Sequence, residues 1–113
     1  MTQDDILDAY ENTARRGVCP GATHIAKVIN PVCGDDIEIT LRVENGKILE
    51  AWHLGHGCML SLASAAMLCD AISGSEIPNL PSVKEWLAGF PVSARRKQCV
   101  ALAVEAMRGA LGW

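Results

Sequence analysis

The sequence predicts an α+β domain in which a small antiparallel three-stranded sheet comes first and helices then pack on one of its faces. Three observations carry this. Ile37, Ile39, Leu41 and Val43 alternate with Glu38, Thr40 and Arg42, the two-residue period of a half-buried strand. Asn45-Gly46 follows, a dipeptide suited to a two-residue hairpin turn, and "KILEAWHL" returns as the partner strand. Then "CMLSLASAAMLCDAI", Cys58 to Ile72, is rich in Leu, Met and Ala and lacks Pro and Gly, which predicts a buried helix stopped at Gly74.

The other elements fall around these. Asp4 to Arg16 reads as an amphipathic helix, with Ile6, Leu7, Tyr10 and Ala14 at helical spacing, acidic residues in the first turn and Gly17 at its end. "THIAKVIN" supplies a further short strand. A loop with Pro78 and Pro81 leads to a short helix around Val83 to Leu87, and Gly89 and Pro91 break the chain before a last helix from Ser93 to Ala110. No repeat, low-complexity tract or linker divides the 113 residues, so one domain spanning 1–113 with one modest core is expected.

Composition narrows the function. Half the residues are hydrophobic and a fifth charged, which suits a folded domain and argues against disorder. No run approaches the roughly 18 apolar residues of a membrane span, and "MTQDDILDAY" is acidic where a targeting leader would be basic, so a cytoplasmic protein is expected. A net charge of -3 argues against nucleic acid as a partner. The basic run Arg95, Arg96, Lys97 is local, and reads as a solvated helix start or as a docking patch for an acidic partner.

Five cysteines without a secretion signal make a poor disulfide framework, which moves metal or sulfur chemistry forward. Cys33 lies in the turn-forming stretch "NPVCGDD", where Gly34 allows a bend and Cys33 and Asp35, two positions apart, can share a face and reach one metal. Cys58 opens the long helix, where unpaired backbone N–H groups favour a reactive thiolate. Cys99 is early in the last helix, on a face with Leu102, Ala103 and Ala106. Each is near the end of an element, where distant segments can converge. Three cysteines and an aspartate make a donor set suited to zinc or an iron-sulfur cluster. Any one of them alone would read as a small core residue. Cys69 belongs with Leu62 and Ala65 in the core, since eleven helical positions set it roughly 16 Å from Cys58. Cys19, in a loop before Pro20, has no evident partner and is a candidate exposed thiol.

The histidines add less. His56 could be a ligand, a base for Cys58 or a polar residue in a glycine loop, the last being favoured. His53 has an alternation that sets it at the surface, and His24 lies at the first strand. Nothing demands the oriented base and oxyanion site of a Cys-His hydrolase.

"NPVCGDD", "GHGCMLSLASAAML" and "RRKQCVALAVEAM" resemble, in that order, the three signatures of the U-type iron-sulfur scaffold family, which includes IscU, SufU and the N-terminal domain of NifU. The resemblance runs from Ile6 to Leu111. It implies a SufE/NifU-like fold, with Cys33, Cys58 and Cys99 as the family cysteines and Asp35 as the aspartate of the first motif. It implies a scaffold and carrier more than an enzyme: persulfide sulfur arrives from a cysteine desulfurase at Cys99 or Cys58, joins iron in a labile cluster of the 2Fe-2S kind, and is passed to apo iron-sulfur proteins. Zinc can take the same ligands. A monomer or weak homo-oligomer is expected. Asp35, a harder donor than thiolate, is expected to keep the site labile.

The match has departures. IscU-type members carry histidine before the third cysteine, where this chain has Gln98; SufU-type members have a longer stretch than the 40 residues between Cys58 and Cys99. "LPSVK", Leu80 to Lys84, is similar to the chaperone-binding segment of IscU but is far from Cys99, and that role is not carried over. Two alternatives therefore stand beside the scaffold: a zinc-dependent SufU-type sulfurtransferase, and a structural zinc domain. The last fits less well, because structural zinc shells are closed sets of Cys and His.

Overall fold

The computed structural model describes residues 1–31 and 34–112. Helix α1 (Gln3–Glu11) is followed by strands β1 (His24–Ile29), β2 (Asp36–Glu44) and β3 (Lys47–His56), then by α2 (Met59–Ile72), a single 3-10 turn (Ile77–Asn79), α3 (Val83–Ala88) and α4 (Lys97–Leu111). The sheet runs β1-β2-β3, antiparallel throughout. Asn45 and Gly46 both take positive φ, 53° and 73°, as the hairpin turn between β2 and β3 requires.

Ile37, Ile39 and Leu41 point from β2 into a core closed by Ala65, Leu68 and Ile72 of α2 and by Leu102, Ala103, Ala106 and Met107 of α4. Helices α2 and α4 thus cover one face of the sheet. A second cluster gathers Ile6 of α1, Leu60 and Ala63 of α2, Phe90 and Val100. Ser64 ties three helices: its hydroxyl donates to the Val100 carbonyl at 2.8 Å and accepts from Trp86 Nε1 at 3.0 Å. No helix among the described residues is long and apolar enough to cross a membrane.

Two helices are shorter than the sequence suggests. A capping box starts α1, with the Asp5 N–H donating to Thr2 Oγ1 and the Thr2 N–H to the Asp5 carboxylate. The helix ends at Glu11, well before Arg16. Residues 15–17 instead lie along the free edge of β3, where the Gly17 N–H donates to the His53 carbonyl and the His53 N–H to the Arg15 carbonyl, at 2.8 and 2.9 Å. Pairing with a strand edge has outweighed helical periodicity. At the other end, Ser93 to Arg96 form a turn in which the Arg96 and Lys97 N–H groups donate to the Ser93 carbonyl, and α4 begins at Lys97. Cys99 is therefore in its first turn.

A bulge corrects the placement of His53. Val43 pairs with Ile48 but Arg42 pairs with Glu50, so Leu49 is extra and the phase of β3 reverses beyond it. Ala51 and His53 turn inward beside Leu41 and Ile39, and Leu54 turns out. On the outer strand β1, Ile25 and Ile29 are exposed and Lys27 between them is 3.8 Å from Asp36.

Candidate functional site

The ends of three elements meet at one rim of the domain. Asn30 and Asp35 close a turn ahead of β2, the Asn30 N–H donating to the Asp35 carbonyl and the Gly34 N–H to the Asn30 carbonyl, both at 2.8 Å. This turn sets Asp35 beside Cys58, the residue that caps α2, and Cys99 arrives from the first turn of α4. One ligand atom from each of Asp35, Cys58 and Cys99 lies within 4.8 Å of the others, and all three residues are half-buried. Cys33, the fourth candidate, lies outside the described residues.

A cleft of about 610 Å³ opens over them, lined also by Asn30, Ser93, Arg95, Arg96 and Gln98. The basic run is thus partly at the site: Arg95 and Arg96 are exposed on its wall. Two soft sulfur donors and one carboxylate at this separation are chemically suited to iron or zinc.

Close packing holds Asp35. Its Oδ2 accepts from the Ser61 hydroxyl at 3.0 Å and from the Cys58 N–H at 3.4 Å, while Ser61 Oγ is 3.4 Å from Cys58 Sγ. A Cβ at Gly57 would stand 2.8 Å from Asp35 Cγ, so only glycine leaves the carboxylate its place. Ser61 and Gly57 were not singled out by sequence reasoning, although both lie within "GHGCMLS"; a small residue touching a candidate ligand leaves no periodic trace.

The other candidates are elsewhere. His56 is exposed, with Nδ1 3.5 Å from Asp36 Oδ2, and is not part of the three-residue group. Cys69 is fully buried in the core, and burial foremost, then the Asp70 charge, pushes its thiol far up. Cys19 is not exposed: the chain around it folds over the outer sheet face, its N–H donates to Thr40 Oγ1 at 2.8 Å, and 2% of it is accessible. Burial, then Glu50, raises its thiol above the usual range. His24 contacts Thr23 through Nδ1 at 2.8 Å.

His53 is buried on the inward face of β3, alongside the Arg15–Gly17 segment that pairs with its backbone, and neither ring nitrogen finds a hydrogen-bond partner among the described residues. Burial, reinforced by the nearby Arg16 charge, pushes its pKa down to about 4 from 6.5. Between these values the unfolded chain takes up a proton that the folded chain refuses, so stability is full above 6.5 and falls as pH drops through the window. Urea unfolding at about pH 5 should show roughly 2 kcal/mol less stability from this group than at about pH 7.5. His53→Leu should flatten that slope; an unchanged slope would show that His53 does not control it.

An α+β domain whose sheet and helix ends present two cysteines and an aspartate over an open cleft defines a class of small metal-site proteins. The chain belongs to the NifU-like N-terminal domain family, whose model matches residues 1–112. It is 30% identical over 105 residues to the zinc-dependent sulfurtransferase SufU of Bacillus subtilis, covering 92% of this chain and 71% of that protein. It is 35% identical over 85 residues to the iron-sulfur cluster assembly scaffold protein IscU of Thermotoga maritima, covering 75% of this chain and 60% of that one. The N-terminal NifU-like protein of Brucella abortus superposes with a TM-score of 0.74 at 18% identity, covering 96% and 90% of the two chains. This last likeness shows the fold.

Proposed function

We propose that this protein is an iron-sulfur cluster assembly scaffold. It accepts persulfide sulfur from a cysteine desulfurase, holds iron and a labile 2Fe-2S cluster through Cys33, Asp35, Cys58 and Cys99, and passes the cluster to apo iron-sulfur proteins. The observation that carries this reading is the meeting of Asp35, Cys58 and Cys99 within 4.8 Å under an open cleft. A closed structural shell would shield its donors, whereas these are half-buried and within reach of a partner. In the sulfur step, a thiolate of Cys58 or Cys99 attacks the outer sulfur of the desulfurase persulfide. A new S–S bond forms as the old one breaks, and the desulfurase departs as a thiolate.

The second reading is zinc-dependent sulfur transfer through the same residues, favoured by the identity to SufU along most of the chain. Anaerobic reconstitution with ferrous iron, cysteine, a desulfurase and a dithiol reductant, which supplies the two electrons that convert each persulfide sulfur to cluster sulfide, separates the two. Under the scaffold reading the protein becomes coloured, its absorption moves to apo-ferredoxin on mixing, and Asp35→Ala retains the cluster longer than wild type. A colourless protein that keeps zinc and accelerates desulfurase turnover would instead favour transfer, and faster cluster loss from Asp35→Ala would remove the proposed labilising role.

A further inference from the structure

We propose that Ser61 is a positioning residue for the metal site, acting through Asp35. Ser61 is fully buried in the first turn of α2, three residues after Cys58, so its side chain emerges on the same side of the helix as that cysteine. Its hydroxyl bridges the site: 3.0 Å to Asp35 Oδ2 and 3.4 Å to Cys58 Sγ. A serine has one proton to give. The carboxylate is acceptor-only when ionised and is the nearer group, so the proton goes to Asp35. The Cys58 N–H donates to the same oxygen at 3.4 Å. Two donors from the start of one helix thus fix the rotation of a side chain carried by a different element, the turn ahead of β2.

The Ser61 hydroxyl, at 3.0 Å, is the shorter of these two contacts to Oδ2, so its loss relaxes the orientation of the carboxylate. With the hydroxyl in place, the carboxylate stays beside both sulfurs before any ion arrives, and the ordering cost is met during folding. Hydrogen bonds of this kind orient ligating carboxylates, and their loss typically lowers metal affinity about 10- to 100-fold. Ser61 is thereby distinguished from Ser64, one turn further along, whose hydroxyl joins Trp86 and Val100 and does not reach the site.

The inference rests on the metal-binding reading, and the test separates the two. Co2+ is titrated against a chromophoric chelator into wild type, Ser61→Ala, Asp35→Ala and the double variant, with thiolate-to-cobalt absorption followed in parallel. The quantity read is equilibrium grip on a single ion, which is distinct from the release rate of a cluster. Ser61→Ala should weaken Co2+ binding by about tenfold or more. In the Asp35→Ala background the same change should cost less than about twofold, because the group it positions is gone. Sulfur absorption should persist, and the ligand-field bands of Ser61→Ala should move toward those of Asp35→Ala. Unchanged affinity in Ser61→Ala, or an equal loss with and without Asp35, would overturn the proposal. Failure of wild type itself to take up Co2+ would overturn the metal reading, and the role of Ser61 with it.

Discussion

Replacing Cys33, Cys58 or Cys99 singly by serine is expected to abolish stable charge-transfer absorption after anaerobic reconstitution. Thiolate is the soft donor that holds iron in such clusters, and a serine hydroxyl is not ionised near neutral pH. Cys58 and Cys99 are half-buried at the rim of the domain, against the margin of the second hydrophobic cluster and outside its fully buried set. Their loss should therefore leave metal-free stability within about 1 kcal/mol of wild type. This pairing of outcomes matters, because a structural zinc domain would unfold without its metal. Full absorption in any one variant would remove that cysteine from the site. Collapse of the fold in Cys99→Ser would favour a structural role.

The second large effect is expected at Gly55. It pairs with Ile37 across β2 and β3, and a Cβ there would overlap the Asp36 carbonyl oxygen and lie 3.1 Å from Ile37 Cα. Both obstacles are backbone, so no rotamer change relieves them and the strands must part. Gly55→Ala should cost about 3 kcal/mol, at the high end for an added methyl group. Chemical denaturation would show it as a lowered midpoint with little change in slope. Because Asp36 adjoins Asp35, the same variant should also loosen the site. Stability within about 0.5 kcal/mol of wild type would mean that the strand pair can shift to admit the methyl group.

Much of this architecture was legible in the sequence because it rests on periodic signals. The alternation from Ile37 to Val43, the Asn45-Gly46 turn and the uninterrupted apolar run after Cys58 each report a local physical preference, and the sheet and α2 follow them. His53 was misplaced because an extra residue at Leu49 reverses the facing of everything beyond it, and a bulge carries no compositional mark. Cys19 was misplaced because its burial comes from the chain folding over Thr40, a contact between segments twenty-one residues apart. The same reason hid Arg15 to Gly17, whose pairing with β3 replaced a helical turn. At the site, Asp35, Cys58 and Cys99 could be picked out as candidates by residue type and motif. The Ser61 anchor could not, since a buried serine in an Ala-rich helix reads as filler until its neighbour across the fold is known.

The donors come from the first third, the middle and the last part of the chain, and this has a consequence for timing. During synthesis the early segments emerge and order first. The β2–β3 hairpin, a local structure, is enough to bring Asp35 toward Cys58, but among the described donors this gives one sulfur and one oxygen. The second sulfur waits until α4, the last element, has been made and laid against β1, β2 and α2. A half-made chain on the ribosome thus presents an incomplete donor set to stray metal, and the three described donors come within 4.8 Å of one another only once α4 has docked.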